Sequence, residues 1–200
     1  MTPASDSNRA EWLTFLERHC NEGRNPPLPR QTFHYANLLR YFAELTEAKS
    51  ILEVGIGAES VSGMTFAYSL ANRLPATLIS VDVDSSRPGE LYRRKGAELG
   101  VTWKCVYGDS LSPEVHVSEK VDVLYIDGDH DFQHAFGDFR KFYDLVKEGG
   151  YVIIDDYGEF DGVVAAVREL KSSGYEFQYF PHHSPNGRVV HRKPSGFYGF

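Results

Sequence analysis

The sequence predicts an α/β fold in which a mostly parallel β-sheet is covered by helices on both faces. From residue 50 onward, short apolar runs alternate with longer amphipathic segments, an order typical of strand–helix–strand units. The runs are apolar throughout, as expected of strands that are buried on both sides. Three runs end in an acidic residue, Asp82, Asp127 or Asp155, and open parallel sheets bind their ligands beyond the carboxyl ends of the strands.

The elements follow in order along the chain. Residues 1–8 are small and polar and are expected to form a disordered tail. Residues 9–48 carry apolar side chains at helical spacing on either side of three prolines, which predicts two N-terminal helices. The core is expected over residues 50–200, so that residues 9–200 form a single domain. The predicted strands are 51–55, 77–82, 102–107, 121–127 and 151–155, and the predicted helices lie near 60–73, 88–99, 131–147 and 160–171.

The last part of the chain is expected to form an antiparallel hairpin at the edge of the sheet. Its two apolar runs, 175–180 and 188–200, have no helix after them and are separated by a turn of Pro185, Asn186 and Gly187. The densest basic stretch lies here and comprises Arg188, His191, Arg192 and Lys193. Because it is short and interrupted by valines, and because the net charge is −7, we expect a solvated hairpin and no nucleic-acid interface.

Cysteine content and hydropathy bear on the compartment. The two cysteines, Cys20 and Cys105, lie far apart and give no disulfide framework. No apolar stretch approaches the length that spans a bilayer. We therefore expect a cytoplasmic protein that does not contact membranes.

A glycine-containing loop follows the first strand of the predicted core. Residues 51–57 read Ile-Leu-Glu-Val-Gly-Ile-Gly, and glycine allows both a sharp turn and the close approach of a ligand. The dinucleotide-binding pattern requires a third glycine, but the continuation here is Ala58-Glu59-Ser60. An acid at the start of the helix repels a pyrophosphate and tolerates a cationic sulfonium, which disfavours a nicotinamide cofactor.

Two segments carry a resemblance to a known family. Glu53-Val54-Gly55-Ile56-Gly57 resembles the first motif of class I S-adenosylmethionine-dependent methyltransferases. Residues 126–157, with Ile-Asp-Gly-Asp-His at the start and Ile-Ile-Asp-Asp-Tyr at the end, are similar to the group that includes macrocin-type O-methyltransferases and cephalosporin-hydroxylase-like proteins. The resemblance covers about residues 50–180. It implies a Rossmann-like sheet, mostly parallel with an antiparallel edge hairpin, and two N-terminal helices before it.

The resemblance also implies which residues bind S-adenosylmethionine. Glu53 and the two glycines would surround the amino-acid end and the ribose, and Asp82 matches the acid that accepts hydrogen bonds from both ribose hydroxyls. Asp109 matches the residue that faces the exocyclic amine of adenine. The full expected set is Glu53, Gly55, Gly57, Ser60, Asp82, Asp109, Ser110 and Asp127.

Three acids are expected to meet beside the cofactor. Asp127 ends the fourth strand, and Asp155 and Asp156 end the fifth; neighbouring strands lie about 5 Å apart. Close carboxylates repel one another unless a proton or a cation intervenes, and Mg²⁺ is a common partner of such oxygen ligands. In the metal-dependent members of the resembling group these positions hold magnesium, so Asp127, Asp155 and Asp156 are the predicted Mg²⁺ ligands.

His130 is the candidate general base. It lies three residues after Asp127, and a histidine at this place is the proposed base in the macrocin-type enzymes; an imidazole titrates near neutral pH. The alternative is that His130 only caps or packs the helix that begins near Asp131. Asp127 would act in catalysis through the bound ion, which lowers the pKa of the acceptor hydroxyl.

The sequence thus favours a Mg²⁺-assisted O-methyltransferase that acts on a small hydroxylated acceptor, such as a sugar, a phenol or a secondary metabolite. A metal-independent N- or O-methyltransferase, an NAD-dependent oxidoreductase and a non-catalytic cofactor-binding protein are the alternatives. The aromatic N-terminal helices are expected to pack in the core or to form a homodimer contact, and a lid that binds the acceptor is the alternative.

Overall fold

The strands and helices alternate in the order that the sequence predicts. A computed structural model describes residues 10–14, 31–57, 60–85, 89–183 and 186–195. The strands are β1 (Ser50–Val54), β2 (Thr77–Asp82), β3 (Thr102–Tyr107), β4 (Val121–Ile126), β5 (Val146–Tyr157), β6 (Gln178–His183) and β7 (Asn186–Arg192). The helices are α1 (Gln31–Leu45), α2 (Val61–Leu70), α3 (Gly89–Leu99), α4 (Phe132–Phe142) and α5 (Asp161–Ser172). Residues 10–14 are also helical, whereas the predicted tail 1–8 lies outside the described residues.

The seven strands form one sheet in the order β3–β2–β1–β4–β5–β7–β6. The first five strands in this order are parallel, and β7 runs antiparallel to both β5 and β6. The predicted fold class, a mostly parallel Rossmann-like sheet with an antiparallel hairpin, is confirmed. Because the strand order reverses between β1 and β4, a crevice opens there beyond the carboxyl ends of the strands, which is where such sheets bind ligands.

Apolar side chains cover both faces of the sheet. On one face Leu52, Leu124 and Val152 pack into a buried cluster with Phe139 of α4 and apolar residues of α5. On the other face Ile51, Val123 and Ile153 pack with residues of α1, α2 and α3, which include Leu39, Phe66 and Tyr92. Successive residues of a strand thus serve opposite layers, which explains why these strands are apolar throughout. Burial of each large apolar side chain contributes about 2 kcal/mol.

The boundary between α4 and β5 differs from the prediction. The helix was expected to reach residue 147, but α4 ends at Phe142, a short 3₁₀ turn follows over Tyr143–Leu145, and β5 begins at Val146. The start of β5 was not predicted because its first residues are mostly polar or glycine. Lys147 forms an ion pair with Asp122 of β4, with 2.8 Å between Nζ and Oδ1, so a charged residue contributes here to strand pairing.

The basic stretch of the hairpin is only partly solvated, contrary to the prediction. Arg188 is 2% exposed and His191 is 5% exposed, while Arg192 is exposed. His191 lies within hydrogen-bond distance of the Tyr143 hydroxyl and the Glu176 carbonyl, and burial lowers its pKa. Arg188 is covered because its guanidinium pairs with Asp155 of β5, and this partner is not visible in the composition of the hairpin. Within the described part of the chain, no helix is long and apolar enough to cross a membrane.

Candidate active site

A cavity of about 610 Å³ opens at the carboxyl ends of the parallel strands. Its walls come from the loops that follow β1, β2, β3 and β4 and from the end of β5. The structure brings together eight of the residues predicted from the sequence: Gly55, Gly57, Asp82, Asp109, Ser110, Asp127, His130 and Asp156. His134 also lines the cavity and was not predicted.

The glycine loop fits tightly against the loop after β4. Gly55 has φ +90°, and a Cβ there would lie 2.6 Å from the carbonyl carbon of Asp127 and even closer to its oxygen. The amide of Asp127 in turn donates to the carbonyl of Val54 at 2.8 Å. At position 55, therefore, only glycine allows the two loops to meet. Gly57 has φ +65°, but a Cβ added there would have no described atom within 4 Å, so its side is open to a ligand.

Asp82 is oriented by the backbone at the end of β2. Its Oδ2 accepts a hydrogen bond from the amide of Ile56 at 2.9 Å, and its Oδ1 accepts one from the amide of Asp84 at 2.8 Å. Each carboxylate oxygen has two acceptor sites, so both oxygens keep a site for a ligand hydroxyl. A carboxylate held in this way suits a vicinal diol.

The far end of the cavity contains a histidine between two acids. His134 Nε2 lies 3.4 Å from Asp109 Oδ1, and its Nδ1 lies 3.1 Å from Asp131 Oδ1. Asp131 also caps α4, since it accepts from the amide of His134 at 2.7 Å. Burial lowers the pKa of His134, but the bond with Asp131 and the charges of both acids outweigh it and raise the pKa. The sequence did contain a signal for this contact, since an Asp lies three residues before a His at the start of a predicted helix.

Glu53 and Ser60, both expected to bind the cofactor, do not line this cavity. Glu53 is fully buried beneath it, where the Ser80 hydroxyl donates to Oε1. Trp103 Nε1 in turn donates to Ser80 Oγ at 2.8 Å. Burial raises the pKa of Glu53 to about 7, although hydrogen bonds from Ser80 and Ser62 act in the opposite direction. Ser60 is also buried, and its hydroxyl is hydrogen-bonded to that of Tyr92.

Asp127, His130 and Asp156 meet at the other end of the cavity. One potential ligand atom from each lies within 4.8 Å of the other two, and His130 Nε2 is 2.9 Å from Asp156 Oδ2. Burial raises the pKa of Asp127 well above its usual value, and the charges of Asp155 and Asp156 raise it further. Burial and Asp155 raise the pKa of Asp156 to about 6, against the influence of His130. Negative charge is therefore crowded here.

Asp155, the third predicted magnesium ligand, has a different partner. It is buried and forms an ion pair with Arg188, with 2.8 Å between Oδ2 and Nη2. The same oxygen accepts a hydrogen bond from the Tyr125 hydroxyl, which also lies 2.8 Å from Asp127 Oδ2. His130, rather than Asp155, completes the group of potential ligands with Asp127 and Asp156. No local sequence pattern links Arg188 to Asp155, since the two lie 33 positions apart along the chain and the hairpin was predicted to be solvated.

His130 is held from two sides. Its ring stacks on Phe160, with 4.0 Å between the centroids and 6° between the planes. The start of α5 packs against its backbone, because a Cβ on Gly162 would collide with the His130 carbonyl oxygen and lie 2.8 Å from the Cα of Asp131. The imidazole thus has a fixed position beside Asp156.

The strand order, the glycine loop, Asp82 and the acids at the end of β4 define the class I S-adenosylmethionine-dependent methyltransferases. The sequence model of the family described as "Methyltransferase domain" matches residues 52–157, more than half of the chain, and the chain belongs to this family. It is an S-adenosylmethionine-dependent methyltransferase.

The chain also resembles a viral protein in sequence, and it shares its fold with solved methyltransferases. The chain is 26% identical to an uncharacterized protein of Acanthamoeba polyphaga mimivirus, over 82% of this chain and 83% of that protein. Its fold is similar to that of the Podospora anserina methyltransferase PaMTH1 bound to S-adenosylhomocysteine, with a TM-score of 0.68, 13% identity, and 98% of this chain and 89% of that chain covered. It is also similar to the O-methyltransferase TomG of Streptomyces achromogenes, solved with S-adenosylmethionine, with a TM-score of 0.60, 18% identity, and 98% and 100% covered.

Proposed function

We propose that this enzyme transfers the methyl group of S-adenosylmethionine to a hydroxyl group of a small acceptor, with the assistance of a divalent metal ion. One observation carries the proposal: Asp127, His130 and Asp156 converge at one end of the cavity whose other walls are the glycine loop and Asp82. A cofactor lying along these walls would present its methyl group to the acid–histidine cluster.

In the proposed binding mode, Asp82 accepts hydrogen bonds from both ribose hydroxyls. Its two oxygens are already oriented by the amides of Ile56 and Asp84, so little reorganisation accompanies binding. Gly57, where a Cβ would have no described atom within 4 Å, leaves room for the methionine part. Asp109 and Ser110, with His134 beside them, line the end of the cavity that would receive the adenine, where the carboxylate of Asp109 suits an amine donor.

The proposed metal ligands are Asp127 and Asp156. The donor set fits a divalent cation, because burial and the charges of Asp155 and Asp156 disfavour the ionised form of Asp127 and raise its pKa, and a positive charge would relieve this. Mg²⁺, which prefers oxygen ligands and keeps several waters, is the proposed ion. When bound, it would lower the pKa of an acceptor hydroxyl. Asp155 is left out of the proposed set, since Arg188 already neutralises it.

His130 is the proposed general base. Its ring is fixed by Phe160 and by Asp156. Because Nε2 donates its proton to the Asp156 carboxylate, Nδ1 is the nitrogen that would take the proton of the hydroxyl. In the reaction, the acceptor oxygen attacks the methyl carbon, the bond from that carbon to sulfur breaks with its electron pair going to sulfur, and the hydroxyl proton passes to His130. Such a positioned base contributes roughly 100- to 10,000-fold to the rate.

A metal-independent methyltransferase is the second candidate. It is favoured by the contact between His130 and Asp156, 2.9 Å apart, which resembles the base-and-carboxylate arrangement of enzymes that need no ion. In that case the acceptor could be a nitrogen or an oxygen nucleophile. Family membership decides against the nicotinamide-dependent oxidoreductase, and the cluster of His130 with two acids argues against a non-catalytic cofactor-binding protein.

The test measures the release of S-adenosylhomocysteine in the presence of a panel of phenols and sugars. We expect excess EDTA, Asp156→Ala and His130→Gln each to lower turnover by about 100-fold or more, while calorimetry shows that S-adenosylhomocysteine still binds. Lys104→Gln, which changes a residue outside the cavity paired with Glu119, is the control and should keep full activity. Full turnover in EDTA together with loss of activity in His130→Gln would establish the metal-independent alternative.

A further inference from the structure

The end of β5 contains a β-bulge at the cavity wall. Ile154 pairs with Val189 of β7 and Tyr157 pairs with Gly187, so Asp155 and Asp156 together oppose a single residue, Arg188. Bulges of this kind re-aim side chains beside active sites. Here the two acids of the bulge have different surroundings: Asp155 is buried, and Asp156 lines the cavity.

The conformation of the bulge is demanding. Asp156 has φ +55°, in the left-handed region that residues other than glycine occupy at a cost, although Asp and Asn tolerate it best. Such a conformation persists only where its surroundings hold it. The Asp155 carboxylate provides this support, because its Oδ1 accepts a hydrogen bond from the amide of Asp156 at 2.8 Å.

Asp155 is itself held by Arg188, the residue opposite the bulge. Arg188 Nη2 donates to Asp155 Oδ2 at 2.8 Å, and the two side chains are 2% and 3% exposed. The Tyr125 hydroxyl donates to the same oxygen. One carboxylate thus connects the guanidinium on β7 and the hydroxyl on β4 to the amide of Asp156.

We propose that Arg188 and Asp155 are positioning residues, which fix the bulge so that Asp156 points to His130, and that Arg188 withholds Asp155 from metal binding. The proposal rests on the function proposed above only for the roles of His130 and Asp156. The chain of contacts runs from Arg188 to Asp155, from Asp155 to the amide of Asp156, and from the Asp156 carboxylate to His130. Neither Arg188 nor Asp155 needs to touch the cofactor or the acceptor.

The experiment uses Arg188→Met, with Arg192→Met as a matched control on the same strand, where Arg192 is exposed. The first readout is the ¹H–¹⁵N spectrum of the imidazoles in the metal-free protein, in which His130 is identified by its disappearance in His130→Gln. We expect the His130 signals of Arg188→Met to move toward those of Asp156→Ala. Arg192→Met should leave them in place, and Arg188→Lys, which keeps the charge but not the planar fork, should restore part of the wild-type position.

The second readout is the affinity for Mn²⁺, measured by the paramagnetic resonance of the free ion. Loss of an outer partner weakens metal binding by about 10- to 100-fold, so Arg188→Met should bind Mn²⁺ at least about tenfold more weakly than wild type. Asp155→Asn keeps an oxygen for the amide of Asp156 and so retains the support of the bulge. Its affinity should stay within about threefold of wild type, well short of the roughly 10- to 100-fold loss that removal of an outer partner causes. S-adenosylhomocysteine should bind all variants with similar affinity.

Several outcomes would overturn the proposal. If the His130 signals in Arg188→Met remain at the wild-type position, the bulge does not depend on the ion pair. If Arg188→Met binds Mn²⁺ more tightly, or Asp155→Asn loses it, Asp155 is a ligand. Arg188→Met could fail to fold because it leaves a buried carboxylate without its partner. In that case the His130 signals are measured in the double variant Arg188→Met/Asp155→Asn. If Asp127→Ala and Asp156→Ala bind Mn²⁺ as wild type does, the metal proposal fails, and the imidazole spectra still decide the role of Arg188.

Discussion

The two halves of the crevice are built by different means. The half beyond β1–β3, where we propose that the cofactor binds, is the proposed cofactor half, and it depends on the backbone. Gly55 permits two loops to touch, and Asp82 is held by two backbone amides. Beyond β4 and β5, the proposed acceptor half depends on contacts between side chains, in which a buried arginine is paired with Asp155 and His130 contacts Asp156. In the proposed function, backbone geometry would fix where the cofactor lies, whereas the charged side chains would form a reactive site that protons and cations can change.

The largest expected effect is that of Gly55→Ala, which tests the backbone rule of the cofactor half. A methyl group at this position meets the Asp127 carbonyl, and either the loop shifts or the protein unfolds. We expect a loss of about 3 kcal/mol or more in the free energy of unfolding and no measurable binding of S-adenosylhomocysteine. Thermal unfolding and calorimetry would measure both.

Gly57→Ala is the matched control for this prediction. Gly57 also has a positive φ, but a Cβ there has open space around it, so only the backbone strain of about 1–2 kcal/mol applies. Its unfolding midpoint should therefore fall far less than that of Gly55→Ala. Equal losses in the two variants would mean that φ, rather than the contact between the two loops, makes glycine necessary at position 55.

Asp82→Ala is expected to have the next largest effect and separates the two halves directly. Two hydrogen bonds to a charged group contribute about 1.5–3 kcal/mol each, so the Kd for S-adenosylhomocysteine should rise by at least about 100-fold. Asp156→Ala removes an acid from the same cavity in the other half, and its Kd should stay near that of wild type. A similar loss in both variants would show that the cofactor extends across the acid cluster, and the comparison of the halves would fail.

The same division decides what could be predicted from the sequence. Gly55, Asp82, Asp109 and Asp127 lie at the carboxyl end of a strand or within two residues of it, and a parallel sheet necessarily gathers such positions at one rim. For these positions, residue identity, spacing and the family resemblance were sufficient to predict that the side chains lie at the cavity. The polar start of β5 was missed because a charged pair, Lys147 with Asp122, replaces the apolar signal.

The acceptor half could be predicted only in part, for a physical reason. Asp155 could be neutralised by a metal ion or by a basic side chain, and in the structure its partner is Arg188. Arg188 lies on another strand, in a stretch whose composition predicts exposure to solvent. The bulge that separates Asp155 from Asp156 depends on the pairing of β5 with β7, a long-range register that local pattern does not contain. The burial of Glu53 is similar: the motif was recognisable, but the depth of the side chain depends on how α2 and Trp103 pack over it.

The smallest expected effect concerns Glu53, a carboxyl group that is fully buried beside the proposed cofactor half. Its pKa is raised from 4.5 to about 7 by burial, so the folded state holds a proton that the unfolded state releases, and stability falls as the pH rises from about 4.5 through about 7. Between pH 6 and pH 8 this group should cost about 1–2 kcal/mol, or a few degrees in the unfolding midpoint. Asp138 and Asp156, with pKa values raised to about 6, act mainly below this window.

In Glu53→Gln the amide does not ionise, so the unfolding midpoint should fall less between pH 6 and pH 8 than in wild type. Glu90→Gln, a change at an exposed helix residue, should show the wild-type pH dependence, and an unchanged dependence in Glu53→Gln would mean that Glu53 is already ionised at pH 6.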